Sequence, residues 1–203
     1  MSLYASRGGG KTHFTVKLLE NQIRLVDKPF TKIVWISKHD QQPVFDELVS
    51  GPYDFEYLNH IPKFSTWNRQ SGTLIVMDDF MTEASNNEEV ANLFTTGRHL
   101  GISVIYMAQN MFAKGRYSYY CRDISLNSDY VSIFKNVRDQ SQIKYLSRQM
   151  FPKNPKYLEW AYKVATDQPY GHLFIDFRTN TDDKYRLRTN LFGEYATYFQ
   201  ENL

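Results

Sequence analysis

Ala5-Ser6-Arg7-Gly8-Gly9-Gly10-Lys11-Thr12 places three glycines, a lysine and a hydroxyl almost at the start of the chain. Glycine lets a backbone turn tightly and brings successive N–H groups against a polyanion with no Cβ in the way. In this pattern Lys11 reaches the β- and γ-phosphate oxygens and the Thr12 hydroxyl ligates magnesium. The stretch therefore predicts a phosphate-cradling P-loop that opens a helix. Ala5 stands where such loops usually carry their first glycine. Sixty-six residues after Thr12, the apolar run Thr73-Leu74-Ile75-Val76-Met77 ends in Asp78-Asp79. An apolar strand ending in acids can hold a magnesium ion through the first, Asp78, and activate or orient water through the second, Asp79. Alone, the first motif has a flexible turn as its lesser alternative, and the second is common at ordinary strand ends. In this order they predict a nucleoside-triphosphate site. Ser6, Arg7, Gly8, Gly9, Gly10, Lys11, Thr12 and His13 surround the nucleotide, Thr12 and Asp78 take the metal, and Lys11 and Asp79 serve the chemistry. Glu83 is the alternative base.

The 203 residues suffice for one sizeable domain with a buried core. A 42% hydrophobic and 16% aromatic content excludes a disordered chain. Net charge is +2, so any contact with nucleic acid must be a local patch rather than a globally basic surface. The single cysteine, Cys121, excludes an internal disulfide and fits a reducing compartment. No stretch has the length and apolarity of a membrane span, and no signal-peptide core is visible. His13, His39, His60, His99, His172 and Cys121 lack metal-ligand spacing, so zinc is not expected.

Strand and helix signals alternate after the loop. A helix carries Phe14, Val16, Leu18, Leu19 and Ile23; strands are expected at 33–36, 54–58 and 74–77. A helix follows at 86–100, then strands at 102–107 and 130–134. Asp139 caps a helix bearing Ile143, Leu146 and Met150, and another helix spans 158–165. The segments 172–177 and 185–188 are expected as late, edge strands. The pattern predicts a single α/β layered domain over 1–203. Only Met1 to Ala5 precede the loop, so part of the first strand is expected to be missing at the N-terminus.

Beyond these motifs, several longer segments are similar to genome-packaging ATPases of the FtsK–HerA superfamily. The closest resemblance is to the compact versions in eukaryotic DNA viruses and Maverick/Polinton elements. It is carried by residues 8–12, 42–48, 74–80, 98–110, 124–127, 134–150 and 169–176. The resemblance implies an ASCE-type P-loop ATPase, a three-layer sandwich around a mainly parallel sheet. In that fold another strand separates the P-loop strand from the metal-site (Walker B) strand. It also implies a homo-oligomeric ring, pentamer or hexamer, that hydrolyses ATP with Mg2+ at a capsid or procapsid vertex and pumps double-stranded DNA. The expected setting is the host nucleus, a cytoplasmic virus factory or the virion, with no membrane. Gln109 occupies the family's polar sensor position beside the γ-phosphate, where its amide can donate and accept. Arg98 resembles the arginine finger given to a neighbouring subunit, a role suited to its planar fork. Arg116, Arg138 and Arg148 are rivals for it. Lys114 and Arg116, in a loop that interleaves cations with aromatics, are candidates for gripping the DNA backbone.

Three other readings compete. Asn136-Val137-Arg138-Asp139 mimics a guanine-reading Asn-Lys-x-Asp, although it lacks the lysine, and a GTPase would need a glycine after Asp78-Asp79 that is absent. A small-molecule kinase uses the same loop. A catalytically decayed relic would keep the fold without turnover.

Overall fold

The computed structural model describes residues 1–38, 43–64, 72–78, 80–84, 86–112 and 120–201, and at positions 44, 47, 81, 82 and 98 the backbone alone. Six parallel strands form most of the sheet: β1 (Ser2–Tyr4), β2 (Lys32–Ser37), β3 (Asp54–Leu58), β4 (Thr73–Asp78), β5 (Ile102–Ala108) and β6 (Tyr130–Phe134). Then β7 (His172–Asp176), β8 (Leu187–Thr189) and β9 (Thr197–Phe199) continue it antiparallel. Among the described residues the order is β3-β2-β4-β5-β1-β6-β7-β8-β9. β5 thus lies between β1, which leads into the P-loop, and β4, which ends in Asp78. That is the strand separation the resemblance implies.

Side-chain alternation makes the sheet apolar on both faces. Ile33 and Trp35, Leu74 and Val76, and Ile105 and Met107 pack on one side. Their neighbours Val34 and Ile36, Ile75 and Met77, and Val104 and Tyr106 pack on the other. Helices must therefore cover both faces. The first side is covered by Phe14, Val16 and Leu19 of α1 (Lys11–Glu20), which α2 (Gln22–Leu25) follows, and by Leu48 of α3 (Asp46–Ser50). The second takes α4 (Met81–Ala84), α5 (Glu88–Thr96), α6 (Cys121–Leu126), α7 (Ser141–Met150) and α8 (Pro155–Ala165), through Ala84, Val90, Leu93, Ile124, Leu146 and Leu158. The result is an α/β three-layer sandwich. Each fully buried Leu or Ile in it contributes about 1.5–3 kcal/mol over an exposed one.

Local chemistry sets the helix starts. The Asn87 side chain accepts from the Glu89 and Val90 amides at 2.9 and 3.3 Å, ahead of acids in the first turn of α5. Asp139 accepts from the Ser141 amide at 3.0 Å before α7, and Pro155 opens α8.

Three expectations are corrected. The first helix stops at Glu20: Asn21 turns its side chain back to the Lys17 carbonyl, the periodicity restarts, and Ile23 is 80% exposed. The 172–177 strand is not an edge. β7 is buried throughout and pairs with β6 and β8, because β9 extends the sheet beyond it. The strand expected at 185–188 begins only at Leu187. Arg186 donates to the carbonyls of Asp176, Arg178 and Thr181 at 2.7, 3.2 and 2.9 Å and so holds the preceding residues in a turn.

Candidate functional site

Parallel strands end together, and here their carboxyl ends bring the glycine loop, Thr12, Asp78 and Gln109 to one edge of the sheet. Gly8 and Gly10 take φ of 73° and 95°, values that side chains resist, and the chain then enters α1 with the Phe14 amide donating to the Gly10 carbonyl at 2.8 Å. A helix N-terminus leaves its first amides without intrahelical partners and carries partial positive charge. No acid sits in the first turn of α1 to neutralise it. Lys11 is buried, and its ammonium donates to the Ala5 carbonyl at 2.9 Å and to the Ser6 carbonyl at 3.4 Å. The helix terminus and the ammonium together make this edge electropositive.

Across β5, the Thr12 hydroxyl donates to a carboxylate oxygen of Asp78 at 3.2 Å. A hydroxyl and a carboxylate this close are the oxygen donors that a small hard cation uses when phosphates and water complete its shell. Among the described residues no group of three His, Cys, Asp or Glu forms a separate metal cage. The donor set therefore fits Mg2+ bound together with a nucleotide. Register pairs Tyr4 with Ala108, so Gln109 follows β5 level with Ala5, at the start of the loop, and is exposed. Ser6 is half-buried, whereas Arg7 and His13 are exposed on the loop and on α1.

Asp79, Lys114 and Arg116 lie outside the described residues. The backbone of Arg98 lies in the 3₁₀ turn Gly97–Leu100, before β5. At about 3.3 Å per residue, the seven-residue strand puts it about 20 Å from Gln109, on the opposite edge of the sheet. Arg98 is therefore remote from the site of its own chain. Glu83, the alternative base, pairs with Lys38, whose ammonium also lies 5.3 Å from the Phe80 ring centroid. The Lys38 hydrogen bond holds its carboxyl below the usual range, which weakens it as a proton acceptor. Asn136 and Asp139 are committed to local turns. The Asn136 side-chain oxygen accepts from the Arg138 and Asp139 amides at 3.0 and 3.1 Å, and Asp139, one residue before the Gln140 cap of α7, accepts from the Ser141 amide at 3.0 Å.

Two residues that the motifs did not single out border the loop. A Cβ built on Gly10 would lie 2.9 Å from Cδ1 of Tyr170, so the tyrosine ring occupies that space. Beneath it, His172 packs edge-on against Phe14 with ring centroids 4.8 Å apart. Its Nε2 is buried with no partner among the described residues. Pro169-Tyr170-Gly171 was the available signal, as a turn aimed at this edge.

Burial pushes the His172 imidazole down to about 4, against a bond to the Tyr170 main chain that pulls the other way. Between about pH 6.5 and 4 the unfolded chain binds a proton that the folded chain refuses. Stability should therefore fall as pH drops through that window, by about 2 kcal/mol from pH 6.5 to 5. Urea midpoints at pH 7.5 and 5.0 test this. His172→Leu should lose most of the difference, and an undiminished difference would assign it elsewhere.

No protein-family model and no curated protein matches the sequence. Solved structures do match in fold. The genome packaging NTPase B204 from Sulfolobus turreted icosahedral virus 2, in complex with ATP-gammaS, superposes with a TM-score of 0.55 at 12% identity over 100% of this chain and 96% of that one. Its complex with AMPPCP gives 0.55 at 13% identity, covering 100% and 97%. The cytoplasmic domain of the Thermomonospora curvata Type VII secretion ATPase EccC is a looser match, with a TM-score of 0.47 at 14% identity over 99% of this chain and 24% of that one. At such identities the similarity speaks for the fold: this chain has the P-loop NTPase fold of the packaging NTPase B204.

Proposed function

We propose that this chain is the ATP-hydrolysing subunit of a motor that moves double-stranded DNA into a viral capsid. One observation carries the nucleotide part: the Thr12–Asp78 contact of 3.2 Å beside an amide-rich loop and the Lys11 ammonium. Motifs 66 residues apart in sequence meet at the strand ends, where a triphosphate and its Mg2+ fit the charges and donors present. Lys11 would neutralise the phosphates, Thr12 and Asp78 would hold the cation, Asp79 would orient or activate water, and Gln109 would sense the γ-phosphate. The similarity in fold to a viral genome packaging NTPase supports the motor reading. Arg98, whose backbone lies before β5 on the far side of the sheet, is proposed as the finger for a neighbouring subunit's site in a ring. Lys114 and Arg116 are proposed to touch the DNA backbone. No described helix is long and apolar enough to cross a membrane.

ATP turnover with and without double-stranded DNA, run beside a mass measurement, tests this reading. Hydrolysis should rise severalfold with DNA, and the active species should have the mass of a pentamer or hexamer. Turnover indifferent to DNA, with phosphate passed to a small acceptor, would move the chain to the kinases. A monomer without turnover would make it a relic.

A further inference from the structure

The geometry points to Tyr170 as the platform on which the base of a bound nucleoside triphosphate stacks. This rests on the phosphate-site reading above and adds the other end of the ligand. The Thr12–Asp78 contact fixes where the γ-phosphate and its cation belong, on the β4 and β5 side of the loop. A triphosphate running along the loop must then carry its nucleoside toward the β6 and β7 side. Tyr170 stands there, immediately before β7, whose first residue His172 pairs with Phe134 at the end of β6. Its ring lies against Gly10, yet 68% of the residue remains exposed.

The chain goes to some length to hold this ring in the open. Tyr170 has φ of 59°, in the left-handed region that aromatic residues seldom enter and that costs about 1–2 kcal/mol. The turn around it sets that geometry. The Gly171 amide donates to the Gln168 carbonyl at 3.0 Å, and a Cβ on Gly171 would come within 2.5 Å of the Ala165 carbonyl. Behind it, His172 is buried among Phe14, Phe134 and Phe192 and bonds to the Tyr170 main chain. Strain kept at an exposed aromatic beside an anion site is what a ligand contact requires, whereas core packing would bury the ring. A tyrosine face binds any base through stacking, so the ligand class is a nucleoside triphosphate of broad base tolerance.

Calorimetric titration with a non-hydrolysable ATP analogue and, separately, with inorganic tripolyphosphate, both with Mg2+, tests the assignment. Tyr170→Ala should weaken the analogue about tenfold or more and leave tripolyphosphate within twofold; Tyr170→Phe should bind both as the wild type does. Equal losses on both ligands would make Tyr170 a support for the loop and overturn the proposal. So would an unchanged affinity for the analogue, or a wild type that binds the two ligands equally well. Wild-type protein that binds neither would remove the phosphate-site reading, and the platform with it.

Discussion

Lys11→Ala is expected to slow ATP hydrolysis about a hundred- to a thousand-fold while the protein stays folded, the effect of removing one preorganised charge from a phosphoryl-transfer site. The size follows from where the ammonium sits. It is already desolvated and directed at the loop by the Ala5 and Ser6 carbonyls, so it needs little reorganisation to meet the charge that develops on the transferring group. Those carbonyls are neutral and can turn to water once the lysine is gone, so stability should change by no more than about 1 kcal/mol. Steady-state turnover at saturating ATP, with a urea midpoint on the same sample, separates the two effects. Turnover within tenfold of wild type would show that Lys11 does not face the reacting phosphate. A collapsed midpoint would show that its role is to hold the loop.

The same residues show which parts of the molecule can be read without a structure. The phosphate loop was legible because its chemistry is local: glycines, lysine and hydroxyl must be consecutive for the amides to converge. The β4 strand was legible because six consecutive buried positions ending in Asp78 leave no amphipathic alternative. Strand order was not, since nothing in the spacing of Leu74 or Ile105 says that β5 inserts between β4 and β1; only the resemblance implied it. Periodicity misplaced Ile23, because Asn21 ends the first helix with a side-chain bond back to the Lys17 carbonyl and the chain restarts in a short second helix. The end of the sheet was misjudged for a related reason: Arg186 spends its donors on distant carbonyls, a long-range arrangement that turns a strand-like run into a bend. Tyr170 lay within a segment that carried the resemblance, but its place against Gly10, 160 positions earlier in the chain, is a long-range contact that no local pattern reveals.

Asp176→Ala is expected to cost about 3 kcal/mol of stability and leave nucleotide affinity unchanged. This carboxylate, fully buried at the end of β7, receives Arg178 at 2.9 Å and Arg188 at 2.6 Å. The two guanidiniums also lie 4.9 Å from the Tyr130 ring and 5.4 Å from the Phe174 ring. Removing the acid strands two partly buried cations and opens a hole beneath them, which costs more than the pair itself contributes. Register places Asp176 opposite Tyr130, at the start of β6 and therefore on the edge away from the phosphate loop. That position is why binding should be spared. Burial alone would raise the Asp176 carboxyl, but bonds from Arg178 outweigh it and hold the group below the usual carboxylate range. Its contribution is therefore present above the unfolded value of about 3.9 and is lost as pH falls through the lower folded value. Urea midpoints of wild type and variant should differ at pH 7 and draw together as pH falls below the unfolded value of about 3.9. A difference of the same size throughout would mean that packing, not the ionised clamp, secures this end of the sheet.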